Sequence, residues 1–400
     1  TLISAGFEEP AYTMDKTYRA FEELPVNLGL QASARTDVPG KIERVIEAGA
    51  CGLKIHEDWG AYPEIVDAAL GQAEIHDVAV CLHTDGLNES CELEDTVDAI
   101  AGRAVHAYHV EGAGGGHVPD VIGLVREPNV VCSSTTPTIP YGRATAAEHL
   151  EMILAVHGGS PNLPEDVEAA LERIHPATIA AEGPLHDLGA ISIVNSDSQG
   201  MGRIGETIRR TWQLAHVMKA WAAERTDDDN ERVLRYLAKY TAEPALVHGI
   251  DAEVGSLAPG RMADIVLWEP SFFGVKPELI LKAGHFAWGA LGQGNATVEH
   301  AEPVRYGPHW GALGEAAPAI STTLVSGMAL EAGIRERLGS HRRFVAVRGA
   351  RTALRGSMVH NAAVLPVQVD PGDGTVTLDG RVLAADPVSE VPLSRRYLLG

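Results

Sequence analysis

The chain has 400 residues, with 54 Asp and Glu against 32 Lys and Arg, for a formal charge of −22. So acidic a protein repels nucleic acid and anionic membrane, which excludes both as partners. Apolar residues make up 45% and charged residues 22%, enough for one large domain and a smaller one, and no run of about 18 apolar residues is present to span a bilayer as a helix.

In chain order, short apolar runs alternate with amphipathic segments. The runs Val26–Gln31, Cys51–His56, Ala79–Thr84, Ala104–Val110, Val130–Ser134 and Ala190–Asp197 read as strands. Helical patterns lie between them at Lys41–Ala48, Pro63–His76, Leu93–Ala101 and Pro119–Arg126, with a longer helical insert at Ala146–Leu188. Strand and helix in alternation imply βαβ units on a parallel sheet, and strands apolar along their length imply cover on both faces. Helical spacing resumes over Arg203–Glu224 and Asn230–Tyr240. Gly255–Trp268 then reads as a turn and a short strand. Gly, Pro and short strands continue to about residue 312. The remainder mixes a helix at Leu324–Leu338 with short strands at Phe344–Val347 and Thr375–Leu378. The expected division is a barrel domain over 1–258 with a flap at about 146–175, part of a small β domain over 259–312, and a C-terminal α/β segment over 313–400. The four cysteines, Cys51, Cys81, Cys91 and Cys132, match neither a zinc knuckle nor a CxxC pair, so buried, inert, reduced thiols in a cytoplasmic protein are expected.

In a parallel barrel the functional side chains stand at the C-terminal ends of strands. Here those ends carry Lys54 and His56, His83, His109 and Asp197. Lys54 and His56 are two apart and share a face. Imidazole and carboxylate suit borderline divalent ions such as nickel or zinc. A lysine joins such a set only as a neutral amine or, after reaction with CO2, as a carbamate. Taken singly, each residue has an ordinary alternative: a hydrogen-bonded histidine, a helix-capping aspartate, an ion-paired lysine. Their joint placement on successive strand ends is what points to a metal centre.

The motifs around these residues are long. Gly52–Gly60 reads GLKIHEDWG, His83–Ser90 HTDGLNES, His109–Asp120 HVEGAGGGHVPD, Ser196–Arg203 SDSQGMGR and Phe272–Pro277 FFGVKP. From about Pro25 onward the chain resembles the large catalytic (alpha) subunit of urease, a member of the amidohydrolase superfamily. The resemblance implies a (β/α)8 TIM barrel in which the six visible strands are barrel strands 3–8. It implies two Ni2+ ions bridged by carbamylated Lys54, with His83 and His109 on the first and Asp197 on the second. It further implies that His56 donates to the urea carbonyl, that His157 is the general acid on the flap, and that Asp58 and Arg173 orient His157. Gly114 would accept from a urea amide through its carbonyl, and Gly200 would stand next to the substrate. The implied reaction is hydrolysis of urea to ammonia and carbamate by metal-activated hydroxide, in urea catabolism. The implied partners are small β and γ subunits, a homotrimer of heterotrimers, and accessory proteins that load nickel.

The chain departs from the family's pattern in four places. The His-x-His pair of barrel strand 1 is absent from the sequence, so the N-terminal part of the subunit is expected to lie outside this chain or on another polypeptide. Val156 stands where the family usually has Cys, which predicts activity without that thiol and weak inactivation by iodoacetamide. Gly200 replaces the usual alanine, and Thr1–Arg19 resembles the family poorly. The alternative functions are another binuclear amidohydrolase, such as a zinc hydantoinase, and a non-catalytic homologue kept for assembly. Glu111–His117 (EGAGGGH) lacks the Lys-Ser/Thr of a phosphate loop, so its glycines are read as room for a small substrate.

Overall fold

The computed structural model describes residues 1–4, 11–56, 60–83, 92–112, 119–198, 200–222, 228–291, 306–388 and 390–392. Six apolar runs form one sheet in chain order: β1 (Gln31–Ser33), β2 (Gly52–Ile55), β3 (Ala79–His83), β4 (Val105–Tyr108), β5 (Val130–Thr135) and β6 (Ile193–Asn195). Every pairing is parallel. The fold class is therefore mixed α/β with parallel sheets. Among the described residues β1 and β6 are the edges of this sheet, and the eight-stranded closure expected from the resemblance is not formed by them.

The crossovers follow from the sequence. Helix α1 (Pro39–Glu47) and helix α2 (Pro63–His76) both begin with proline, whose fixed φ and missing N–H suit a helix start. Helix α2 buries Val66, Ala69, Leu70 and Ala73, one stripe at helical spacing. It stops at Asp77, which is in the left-handed conformation (φ 51°), and the Asp77 carboxylate takes the backbone N–H groups of Gly349 and Arg351. Helix α3 (Leu93–Ile100) starts where the Asp95 carboxylate accepts from the Glu92 N–H at 3.0 Å. Pro119–Arg126 is a 3-10 helix rather than the expected α-helix. Val121–Val125 are all buried there, and a Cβ on Gly123 would meet Leu93 Cδ2 at 2.8 Å, so this segment packs on every side. The long insert is three helices, α4 (Ala146–Val156), α5 (Pro164–Glu172) and α6 (Pro176–Asp187), the last buried from Thr178 to Asp187. Helices α7 (Thr207–Ala222), α8 (Asn230–Ala238) and α9 (Ala242–Val247) follow β6.

A second parallel sheet joins Leu2–Ile3, Leu28–Gly29, Thr322–Val325 and Arg343–Ala346. The helix expected at Leu324–Leu338 therefore begins as a strand. Thr322 and Thr323 are β-branched, all four residues are buried, and helix starts only after Ser326 caps the Ala329 N–H at 3.1 Å. Gly333, at φ 74°, divides the rest of that stretch into two short helices, Gly327–Glu331 and Ile334–Leu338. Arg342 is buried behind this sheet and donates to the carbonyls of Phe21, Leu24, Val26 and Thr322. An antiparallel sheet of Ile265–Trp268, Pro277–Lys282, His285–Ala290 and Tyr306–Pro308 occupies the Gly- and Pro-rich stretch. No helix among the described residues is long and apolar enough to cross a membrane.

Candidate metal centre

Register fixes which side chains meet. Lys54 pairs with Cys81 and Cys81 with His106, so these three lie side by side across β2, β3 and β4. Two residues further along, on the same face, come His56, His83 and Tyr108, with His83 and Tyr108 in register. His56 and His83 stack with ring centroids 3.8 Å apart and planes 29° off parallel. The Lys54 side chain is buried, with Nζ 3.9 Å from the Tyr108 ring centre, a cation–π distance.

His109 breaks the alternation. It follows Tyr108 and would face away if the strand continued. Its φ of 32° ends the strand instead, and its ring meets that of His83 edge-on at 4.0 Å. Asp197 behaves alike. It lies two residues past β6 at φ 54°, which is why the expected strand to Asp197 stops at Asn195. The Asp197 carbonyl accepts from Gly200 N (3.1 Å) and Gly202 N (2.7 Å), and its carboxylate from Met201 N (3.2 Å). Left-handed backbone at non-glycine residues is costly and persists where the surroundings over-determine it. Of the six such residues described, two are His109 and Asp197.

Glu111 stands behind His109, fully buried. Burial first, then the Glu182 carboxylate, and to a smaller extent Asp197, push its carboxyl well above the usual range. Asp197 therefore shares an electrostatic neighbourhood with the loop that carries His109. Burial pushes Glu182 up to about 8, although Thr138 Oγ1 donates to it at 2.9 Å. The folded chain thus keeps a proton that the unfolded chain releases near the ordinary value of 4.5. Stability is untouched below that pH, falls as pH rises toward about 8, and levels beyond. The metal-free chain is expected to unfold at lower guanidinium concentration at pH 9 than at pH 6. Glu182→Gln should remove part of that difference, on the order of 2 kcal/mol, the remainder belonging to Glu111, which burial also holds protonated. Equal midpoints for the wild-type chain at both pH values would refute this.

The remaining expected site residues are scattered over other elements. His157 is exposed at the C-terminal end of α4, and Arg173 is buried at the end of α5. Gly200 is in the exposed turn after Asp197. A Cβ there would meet the tips of the Asp197 carboxylate at 2.9 and 3.1 Å. That carboxylate can swing, so Gly200→Ala is expected to cost less than about 1 kcal/mol of stability and to lower turnover without abolishing it. Thermal melting and kcat measured side by side check this, and loss of the fold would contradict it. Asp58, Gly114 and Cys91 lie outside the described residues. Cys51, Cys81 and Cys132 are buried free thiols, each pushed upward in pKa chiefly by burial.

The donor set fits a divalent metal. Three imidazoles with ring centroids 3.8 and 4.0 Å apart bring together nitrogen donors of the kind that borderline divalent ions take. Sequence reasoning passed over Gln31, His106, Glu111, Glu182 and His248 as site residues, and read Cys81 as an inert thiol. Parity could have found Cys81 and His106, each two residues before a rim residue. His248 could not be found that way, since it arrives from after α9.

A family model described as "Amidohydrolase family" matches residues 2–286. Among solved structures, the chain is similar to L-hydantoinase (dihydropyrimidinase) from Arthrobacter aurescens, at 15% identity and a TM-score of 0.44, over 69% of this chain and 73% of that one. It is similar to the formyltransferase/hydrolase complex from Methylorubrum extorquens at 13% identity and a TM-score of 0.49, over 86% and 80%. A Xaa-Pro dipeptidase with bound methionine is 15% identical, with a TM-score of 0.45, over 71% and 74%.

Proposed function

Because this chain belongs to the amidohydrolase family, we propose that it hydrolyses the C–N bond of a small amide at the rim of β2, β3 and β4, and that the amide is urea. The observation that carries the first half is the packed trio of His56, His83 and His109 beside buried Lys54. The second half is supported by the motifs GLKIHEDWG, HVEGAGGGHVPD and SDSQGMGR, which resemble urease and hold these residues.

In this reading His83, His109, Asp197 and Lys54, carbamylated by CO2, would hold two nickel ions. The ions supply Lewis-acid polarisation of the amide carbonyl. The chain's own groups do the rest. His56, its plane fixed by stacking on His83, donates a hydrogen bond to the carbonyl oxygen as charge gathers there. His157 delivers the proton that the leaving amine needs, which requires α4 to bring its exposed end over the rim. Arg173 and Asp58 orient that imidazole, and the Gly114 carbonyl and Gly200 border the substrate. The same resemblance supports small β and γ subunits, threefold assembly, loading by accessory proteins and a cytoplasmic setting.

The test is ammonia release by the chain, alone and with the small subunits, after loading with Ni2+ and bicarbonate. Urea turnover is expected. In His83→Ala and His109→Ala it should fall at least about 100-fold while far-UV circular dichroism is unchanged. Zinc-dependent opening of cyclic amides without urea turnover would move the assignment to a hydantoinase-like enzyme. Turnover of neither, by metal-loaded and assembled protein, would leave a non-catalytic homologue.

A further inference from the structure

Beneath the rim lies a second donor cluster that the reaction above does not use. Cys81 on β3, His106 on β4 and His248 after α9 each offer one ligand atom, and these atoms lie within 4.8 Å of one another. All three side chains are buried. We propose that Cys81, His106 and His248 form a buried site for one thiophilic d10 metal ion.

The geometry is close to what such an ion needs. Metal–sulfur and metal–nitrogen bonds of about 2.3 and 2.0 Å place sulfur and nitrogen donors roughly 3.6 Å apart around one ion. Cys81 Sγ is already 3.8 Å from His106 Nδ1. The imidazoles of His106 and His248 are edge-to-face with centroids 5.7 Å apart. Among the described residues His248 Nδ1 is buried with no hydrogen-bond partner, a cost that a ligand at this position would remove. Burial holds both imidazoles neutral, pulling His248 down to about 4 and His106 well below its ordinary value, so neither has a proton to shed.

The thiol is prepared for the same task. Gln31 Nε2 donates to Cys81 Sγ at 3.0 Å, and the Tyr108 hydroxyl donates back to Gln31 Oε1 at 3.4 Å, which fixes the amide. Loading breaks the S–H bond, forms a sulfur–metal bond and releases one proton to solvent. Among the described residues no carboxylate joins the cluster. A filled site would tie β3, β4 and the segment after α9 together below Lys54.

The experiment uses the whole chain, stripped of metal by chelator and then offered Co2+ as a reporter, and Cu+ or Zn2+ as occupants. Co2+ should give a near-ultraviolet thiolate charge-transfer band. Cu+ and Zn2+ should each displace it at one equivalent per chain and raise the melting temperature. The band should persist in His109→Ala, which separates this site from the proposed nickel centre. It should vanish in Cys81→Ser and weaken at least tenfold in apparent affinity in His248→Gln. Both variants are checked by circular dichroism, and whichever stays folded decides. No thiolate band in the wild-type chain, or a band unchanged in the folded variant, overturns the site whether or not urea is hydrolysed.

Discussion

Gly202→Ala is expected to abolish turnover and to destabilise the chain by about 3 kcal/mol or more. A Cβ at this position would lie 1.7 Å from the Ser196 carbonyl oxygen and 2.6 Å from Thr136 Oγ1. The first obstacle is backbone, and it cannot rotate aside. Ser196 is further held by Thr136 Oγ1, which donates to its carbonyl at 2.7 Å. The only relief is to open the turn that runs from Ser196 to Gly202. That turn is closed by the Gly202 and Gly200 N–H groups on the Asp197 carbonyl, and it is what holds Asp197 in its left-handed conformation. Opening it releases the carboxylate from the site. Gly200→Ala is the control: it lies in the same turn, yet the nearest atoms to its Cβ are the tips of the Asp197 side chain. Thermal melting together with urea turnover measures both. A Gly202→Ala chain with wild-type melting temperature and wild-type kcat would show that the turn does not position Asp197.

The contrast between these glycines marks where the sequence could be read and where it could not. Lys54, His56 and His83 were legible as one face because strand alternation has a fixed period of two and β2 and β3 keep it to their ends. The start of α2 at Pro63, and the stripe from Val66 to Ala73 that it buries, were legible for the same kind of reason at helical period. His109 and Asp197 were placed by their position at strand ends, but their orientation was not available, since alternation turns His109 the wrong way. Only the left-handed backbone at each, set by tertiary contacts such as those of Gly202, brings them round. The same limit explains Thr322–Val325. Its apolar residues continue a helical spacing into the next segment, and pairing with Leu28–Gly29 and Arg343–Ala346 overrides it. The buried cluster of Cys81, His106 and His248 joins residues far apart in the chain, and no local pattern announces the third member.

Arg355→Met is expected to cost about 2–5 kcal/mol of folding stability, because two buried carbonyls lose their donors. Arg355 is completely buried between β5 and the chain entering β6. Its Nε and Nη2 donate to the Val130 carbonyl at 3.0 and 2.6 Å, its Nη1 to the Ala190 carbonyl, and its Nη2 to Cys132 Sγ at 3.1 Å. Methionine keeps much of the volume and supplies none of these donors. The Val130 and Ala190 carbonyls are then left in a space that water does not reach, each at a penalty of about 1–3 kcal/mol. Lysine is expected to rescue little, because a single ammonium cannot span two carbonyls and a thiol that a planar guanidinium reaches together. The measurement is guanidinium chloride unfolding of wild type, Arg355→Met and Arg355→Lys, since urea as denaturant would double as the proposed substrate. A lower midpoint at unchanged slope is the expected result. An Arg355→Met midpoint equal to wild type would mean that β5 and the entry to β6 hold together without the clasp, and that the charge there serves something other than stability.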